Sequence, residues 1–224
     1  MKKLFFILTF LALSRPDIVR AEKNLCNLDF PEPEIEYYSS YGKLNYDFGK
    51  NQQQVTALAK KHNLLESGMF ASGLAIADIQ WEVSVNTRGA LLSTKSACIL
   101  PARIKLFIGY SNPVIYIANH LRKNTCVYDV VMRHEQTHQQ INKTALEYFR
   151  PQFFAEIQKI AGRIKPRYVE NLTQREVDAA TQAMTQEYID AITPMIELFK
   201  KELKIEHSKL DHPDNYRMEA LLCK

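Results

Sequence analysis

The chain has no Cys-x-x-Cys pair, no internal repeat and no low-complexity tract. Those absences argue against zinc-thiolate and dithiol redox motifs and against repeat architectures. Past its first residues it has no apolar run near the roughly twenty that a membrane-spanning helix takes. An excess of one charge is missing too. The formal net charge of +4 rests mostly on the first 21 residues, where Lys2, Lys3, Arg15 and Arg20 stand against Asp17. Residues 22–224 are close to neutral, so nothing calls for nucleic acid or an acidic membrane surface as partner.

What is present starts at the N-terminus. Lys2 and Lys3 precede an apolar stretch from Leu4 to Leu13, and Val19, Arg20 and Ala21 form a small-residue cleavage site. The pattern predicts a secretory signal peptide over 1–21, cut after Ala21, and an exported protein, periplasmic or secreted. A buried amphipathic helix is the competing reading, and Pro16 and the flanking lysines argue against it. Residues 22–224 are enough for a single domain. Their four cysteines, Cys26, Cys98, Cys126 and Cys223, are even in number, which in an exported chain favours disulfides. Of the three possible connectivities, Cys98–Cys126 with Cys26–Cys223 is the expected one, the second bond tying the two ends together.

Periodicity divides the domain into a β-rich part, 22–120, and a helical part, 121–224. Short extended stretches are expected around Glu34–Tyr38 and Leu44–Phe48, and a helix over Asn51–His62. Ile79, Trp81, Val83 and Val85 alternate with Gln80, Glu82 and Ser84, as in a strand with one buried face. Arg103–Gly109 and Val114–Ala118 are two more β-rich runs. Beyond Asn124 the pattern is helical. Asn124 or Thr125 caps a helix whose stripe is Val127, Val130, Val131, Ile141 and Ala145. Pro151 is expected to end or kink it, with another helix over Gln152–Arg163. Thr173 and Glu176 form a capping box for a long helix toward Glu206, interrupted at Pro194. Its stripe reads Val177, Ala180, Met184, Tyr188, Ala191, Met195, Phe199 and Leu203.

One run carries chemistry. Residues 134–138 read His-Glu-Gln-Thr-His. On a helix, His134 and His138 share one face a turn apart, where two imidazoles can hold one Zn²⁺. Glu135 is then placed to act as general base in metal-assisted hydrolysis. A lone histidine on an apolar stripe is usually a core residue; two at this spacing beside a glutamate are not so easily explained. A catalytic zinc normally takes three protein ligands. Ile141 and Thr144 stand where a metzincin needs Gly and His, so the third ligand lies further along. His207 is the first candidate, because His207 to His212 gathers imidazole and carboxylate in six residues. His212 and Glu187 are alternatives, the last as in gluzincins. Tyr216, Tyr188 and the unused histidine of the tail are candidates for a donor to the oxyanion. Asp129, Asp178 and Asp190 could orient a ligand imidazole.

Tyr37-Tyr38, the stretch Ala77 to Trp81, Cys98 before a strand-rich block, the His134–His138 helix, and a tail with Asp211 and Tyr216 occur in that order. With these features the chain resembles a family of exported bacterial proteins of undefined function regarded as predicted zinc-dependent proteases. The resemblance implies an α+β, zincin-like fold: a mostly antiparallel N-terminal sheet, an active-site helix and a C-terminal helical region. It also implies His134 and His138 as ligands and Glu135 as general base. Tails of that family often end in a His-Gly-containing segment, which this chain lacks after Tyr216.

The expectation is a zinc metallopeptidase with one Zn²⁺ per chain, acting on a protein or peptide substrate and not spanning the membrane. The alternative is a non-catalytic envelope protein that keeps a zinc site for stability or for binding a partner. A structural zinc usually has four protein ligands, so ligand number separates the two. Zinc-dependent cleavage of another amide, such as a cell-wall peptide link, is a third possibility.

Overall fold

A computed structural model of the chain describes residues 25–26, 29–65 and 68–223; the expected signal peptide lies outside them. Its frame is a long antiparallel hairpin, β3 (Gly73–Leu91) with β4 (Ala97–Ile117). The turn between them is held by Ser93, whose Oγ accepts from the Lys95 and Ser96 N–H groups. Trp81, Val83 and Val85 lie opposite Ile108, Leu106 and Ile104 on one face, which is the buried one. The three β-rich runs from Ala77 onward therefore merge into two continuous strands.

β3 takes one edge of β4, and three short strands share the other. They are β5 (Arg167–Val169) against Ala97–Ile99, β1 (Glu34–Ser40) against Arg103–Gly109, and β2 (Asn45–Asp47) against Val114–Tyr116. This corrects the mostly antiparallel N-terminal sheet. β1 and β2 run parallel to β4, because the crossover through α1 (Gln52–Lys61) and β3 brings the chain back in the same direction. Gly109 lets β1 come close: a Cβ there would stand 2.4 Å from Ser40 O. The class is α+β as expected, with β5 placed inside the helical half and α1 inside the β-rich half.

Two long helices cover the buried face. From α2 (Cys126–Ala161) come Leu146, Phe149, Phe153 and Ile157, and from α3 (Gln174–Leu210) Met184, Tyr188, Ile192, Ile196, Phe199 and Leu203. Neither proline ends its helix, which corrects the expected stop at Pro151 and the interruption at Pro194. Pro151 and Pro194 sit inside continuous helices. An interior proline costs a helix about 3 kcal/mol, and the fully buried Phe153 and Ile157 beyond Pro151, and Ile196 and Phe199 beyond Pro194, more than offset it. On α3 the buried positions also depart from the expected stripe: Ile192 and Ile196 face the core, and Ala191 is exposed.

The disulfides are Cys26–Cys98 and Cys126–Cys223, with Cα atoms 5.6 and 5.5 Å apart. The expected pairing is thus wrong. Cys98 opens β4 and meets the N-terminal segment, whereas Cys126 opens α2 and meets the end of a last short helix, α4 (Pro213–Leu221). Two disulfides fit an oxidising compartment. Among the described residues no helix is long and apolar enough to cross a membrane.

Candidate metal centre

Thr125 caps α2, its hydroxyl accepting from the Tyr128 N–H. Two turns further in, His134 and Glu135 are both buried, and His138 follows one turn later. α3 returns antiparallel on α2 and brings its C-terminal end to these histidines. Asp211 is the C-cap of α3, with its N–H bonded to His207 O. The carboxylate oxygen Oδ1 of Asp211 lies 3.2 Å from His134 Nε2 and 3.0 Å from His138 Nε2. Among the described residues, His134, His138 and Asp211 form the group that could hold a metal ion.

The partners of the other ring nitrogens fix the tautomers. His134 Nδ1 lies 3.1 Å from Glu219 Oε1, an acceptor, so Nδ1 carries the proton. His138 Nδ1 lies 2.8 Å from His207 Nδ1, and His207 Nε2 lies 2.9 Å from Asn142 Oδ1. Since the Asn142 carbonyl oxygen accepts, His207 donates from Nε2 and accepts at Nδ1, which makes His138 Nδ1 the donor. With a metal bound, both histidines would turn an Nε2 lone pair toward it; without one, the Nε2 atoms stand at hydrogen-bond distance from Asp211 Oδ1, and the His134 Nε2 carries a proton that it donates there. Three lone pairs that converge this way repel unless a cation lies between them, a metal or a proton. Ligand atoms bound to tetrahedral zinc at about 2.0–2.1 Å stand about 3.3 Å apart. The two nitrogen–oxygen separations, 3.2 and 3.0 Å, lie near that value.

The electrostatics agree. Burial works against the charged form of His134, but its bonds to Asp211 and Glu219 and the charge of Glu135 prevail and push it up to about 9. Burial also opposes the charge on Asp211, and hydrogen bonds from His134, His138 and Tyr216 hold it well below the usual carboxylate range. His207 is pushed down to about 4, by burial and then by His138, so it stays neutral and able to accept. Burial raises Glu135 to about 7, against the opposing charges of the two histidines.

Glu135 lines the same cleft as the ligand group. Gly73, the first residue of β3, leaves room for its carboxylate, and the Ala75 N–H donates to it. Tyr216 on α4 donates its hydroxyl to Asp211 Oδ1 at 2.9 Å and stacks on the His134 ring. Burial, and then Asp211, push the Tyr216 phenol up, so it keeps its proton.

Sequence reasoning singled out His134, Glu135, His138 and Tyr216, and the structure brings them together. His207 is at the site but outside the ligand group, because from one turn back on α3 it meets Nδ1 of His138 rather than Nε2. His212 is exposed and caps α4, accepting from the Asp214 N–H. Glu187 pairs with Arg167. Tyr188 is in the core, and Asp178 and Asp190 accept from Gln174 and Gln186 on the surface of α3. Asp129 lies in the first turn of α2. Asp211, Glu219, Asn142 and Gly73 were not picked out for these roles. Two had a signal: Asn142 extends the His134, His138 spacing by one turn, and Asp211 follows His207 by one.

Comparison with protein-family models, with curated proteins and with solved structures returns no match.

Proposed function

We propose that this protein is an exported zinc-dependent metallopeptidase, periplasmic or secreted, with His134, His138 and Asp211 as the zinc ligands and Glu135 as general base. The observation that carries the proposal is the convergence of two Nε2 atoms and one carboxylate oxygen beside a buried glutamate in an open cleft. Zinc, when bound, supplies Lewis acidity and lowers the pKa of a coordinated water toward neutrality.

The residues around the ligand group then have roles. Glu135, raised to about 7, would take a proton from the attacking water near neutral pH and hand it to the leaving amine, the water's oxygen going to the carbonyl carbon. Tyr216 keeps its phenol proton and can turn it from Asp211 toward the oxygen that gains charge at the substrate carbonyl. Glu219, and His207 backed by Asn142, hold the ligand imidazoles in the tautomers that binding needs. A zincin-like arrangement and kinship with the resembled family belong to this proposal. β3 laid beside the motif helix, with Gly73 and Ala75 against Glu135, supports them.

The test is metal content and hydrolysis measured on the same samples. Wild type should hold about one zinc per chain and cleave peptides. His138→Ala should lose the metal, and Glu135→Gln should keep the metal but lose cleavage. Full activity in Glu135→Gln would overturn the mechanism, and zinc without hydrolysis of any peptide would leave a metal-binding protein.

A further inference from the structure

The cleft has two unlike arms. On one side of the ligand group its walls are mixed, with Asn142, His207 and Lys204 beside Leu74, Ile76 and Leu203. On the other side lies a cavity of about 600 Å³ whose walls include Leu64, Leu65, Met69, Phe70, Val131 and Pro213. Glu135, His134, Asp211 and Tyr216 line both. Several apolar side chains of the second arm lie open to solvent: Leu64 is 56% exposed, Met69 52% and Phe70 72%. Single exposed apolar residues are ordinary, but a group of them around one cavity marks a surface that another molecule covers.

Resting on the metallopeptidase reading, we infer that this arm is a side-chain subsite, and that the protein selects peptides with a bulky apolar residue on one side of the cleaved bond. The occupant is the substrate, because the cavity opens on Glu135 and the ligand group. Its volume exceeds that of a single large side chain, so Leu, Met, Phe and Tyr fit. The other arm shares Leu64 and Leu65 but sets Lys200, Lys204 and Asp78 where this one has Met69, Phe70, Val131 and Pro213, so the stronger apolar demand falls on this side. Removing a large apolar side chain from water favours binding by about tenfold or more over a small polar one.

Binding can be separated from chemistry with zinc-loaded Glu135→Gln. Peptides that carry Phe or Leu at one position of an otherwise fixed polar sequence should bind at least about tenfold more tightly than the Asn versions by calorimetry. Phe70→Asn combined with Met69→Asn should shrink that ratio toward one, and a ratio taken within one variant does not depend on the folded fraction. Equal affinity for Phe and Asn peptides, no binding of either, or a ratio untouched by the double variant overturns the inference. In wild type the cleavage sites should show the stronger apolar preference on one side, and an equal preference on both sides or on neither overturns it. If apolar peptides bind Glu135→Gln but wild type cleaves none, the subsite stands and hydrolysis falls. The two failures are thereby told apart.

Discussion

Gly73 and Glu135 compete for one space: a Cβ on Gly73 would stand 2.4 Å from Glu135 Oε1 and 2.7 Å from Glu135 Cγ. The same atom would lie 2.7 Å from Val131 Cγ1, so the glutamate could not move aside toward that neighbour. A glycine at the start of a strand here serves the site rather than the backbone. Gly73→Ala should displace the Glu135 carboxylate while the ligand atoms of His134, His138 and Asp211 keep their places. The expected outcome is a fall of at least about tenfold in kcat with zinc stoichiometry retained. Overpacking should also lower stability, by about 1–3 kcal/mol. Metal analysis beside steady-state kinetics checks both.

In the proposed site His207 acts on the metal position through His138. With Asn142 Oδ1 on its Nε2, it presents an acceptor to His138 Nδ1 and so leaves Nε2 of His138 free. His207→Ala should weaken zinc binding by about 10- to 100-fold, the usual cost of losing such a partner. His207→Gln, which keeps an acceptor near the same place, should recover part of the loss. Were His207 a direct ligand, the alanine variant would bind no more than a two-ligand site, and the glutamine variant would not differ from it. Chelator competition reads the difference.

The sequence made the motif helix legible because its histidine spacing is a local property, set by 3.6 residues per turn. The third member of the candidate ligand group was not local. Asp211 and His207 both lie on the face of α3 turned toward the motif helix, one turn apart, and only the axial placement of α3 against α2 decides which of them reaches the metal position. The same limit explains Ile192 and Ile196. A stripe drawn through Val177, Ala180, Met184 and Tyr188 extends equally well to Ala191 or Ile192, and burial in the core that α2, α3 and the sheet share selects the larger side chain. Strand direction was hidden too, since alternation in Glu34–Tyr38 shows which face is buried but not which way its neighbour runs. The disulfide partners were equally non-local, as Cys126 meets Cys223 only because α4 folds back over the start of α2.

Zinc binding should be steeply pH-dependent in a stated direction. In the metal-free chain His134 is raised from 6.5 to about 9, and zinc must displace that proton. Affinity should rise about tenfold per pH unit between 7 and 9 and then level off. Stability of the metal-free chain should run the other way. A raised histidine contributes fully below its unfolded value and loses the contribution as pH climbs through about 9. The lowered Asp211 contributes above its unfolded value of 3.8 and loses that on acidification. Denaturant titrations without metal from pH 6 to 10, beside chelator competition from pH 7 to 9, should thus give opposite slopes.

Two disulfides of similar span should separate folding from site assembly. α4 has no buried residue, so the hydrophobic effect does little to hold it. It is kept in place by the Cys126–Cys223 bond, by Asn215 Nδ2 donating to the Lys209 and Leu210 carbonyls, and by the site contacts of Tyr216 and Glu219. Cys126→Ser with Cys223→Ser frees the helix that carries both site residues, and zinc affinity should fall by about tenfold or more, as for other lost partners of ligand imidazoles. Cys26→Ser with Cys98→Ser removes a cross-link of the same kind at the far start of β4. It should lower stability by about 2–4 kcal/mol while zinc affinity stays within about twofold. Thermal melts and chelator competition on the two pairs decide the matter: a drop in affinity shared by both would mean that α4 is held by the fold as a whole rather than by its own bond.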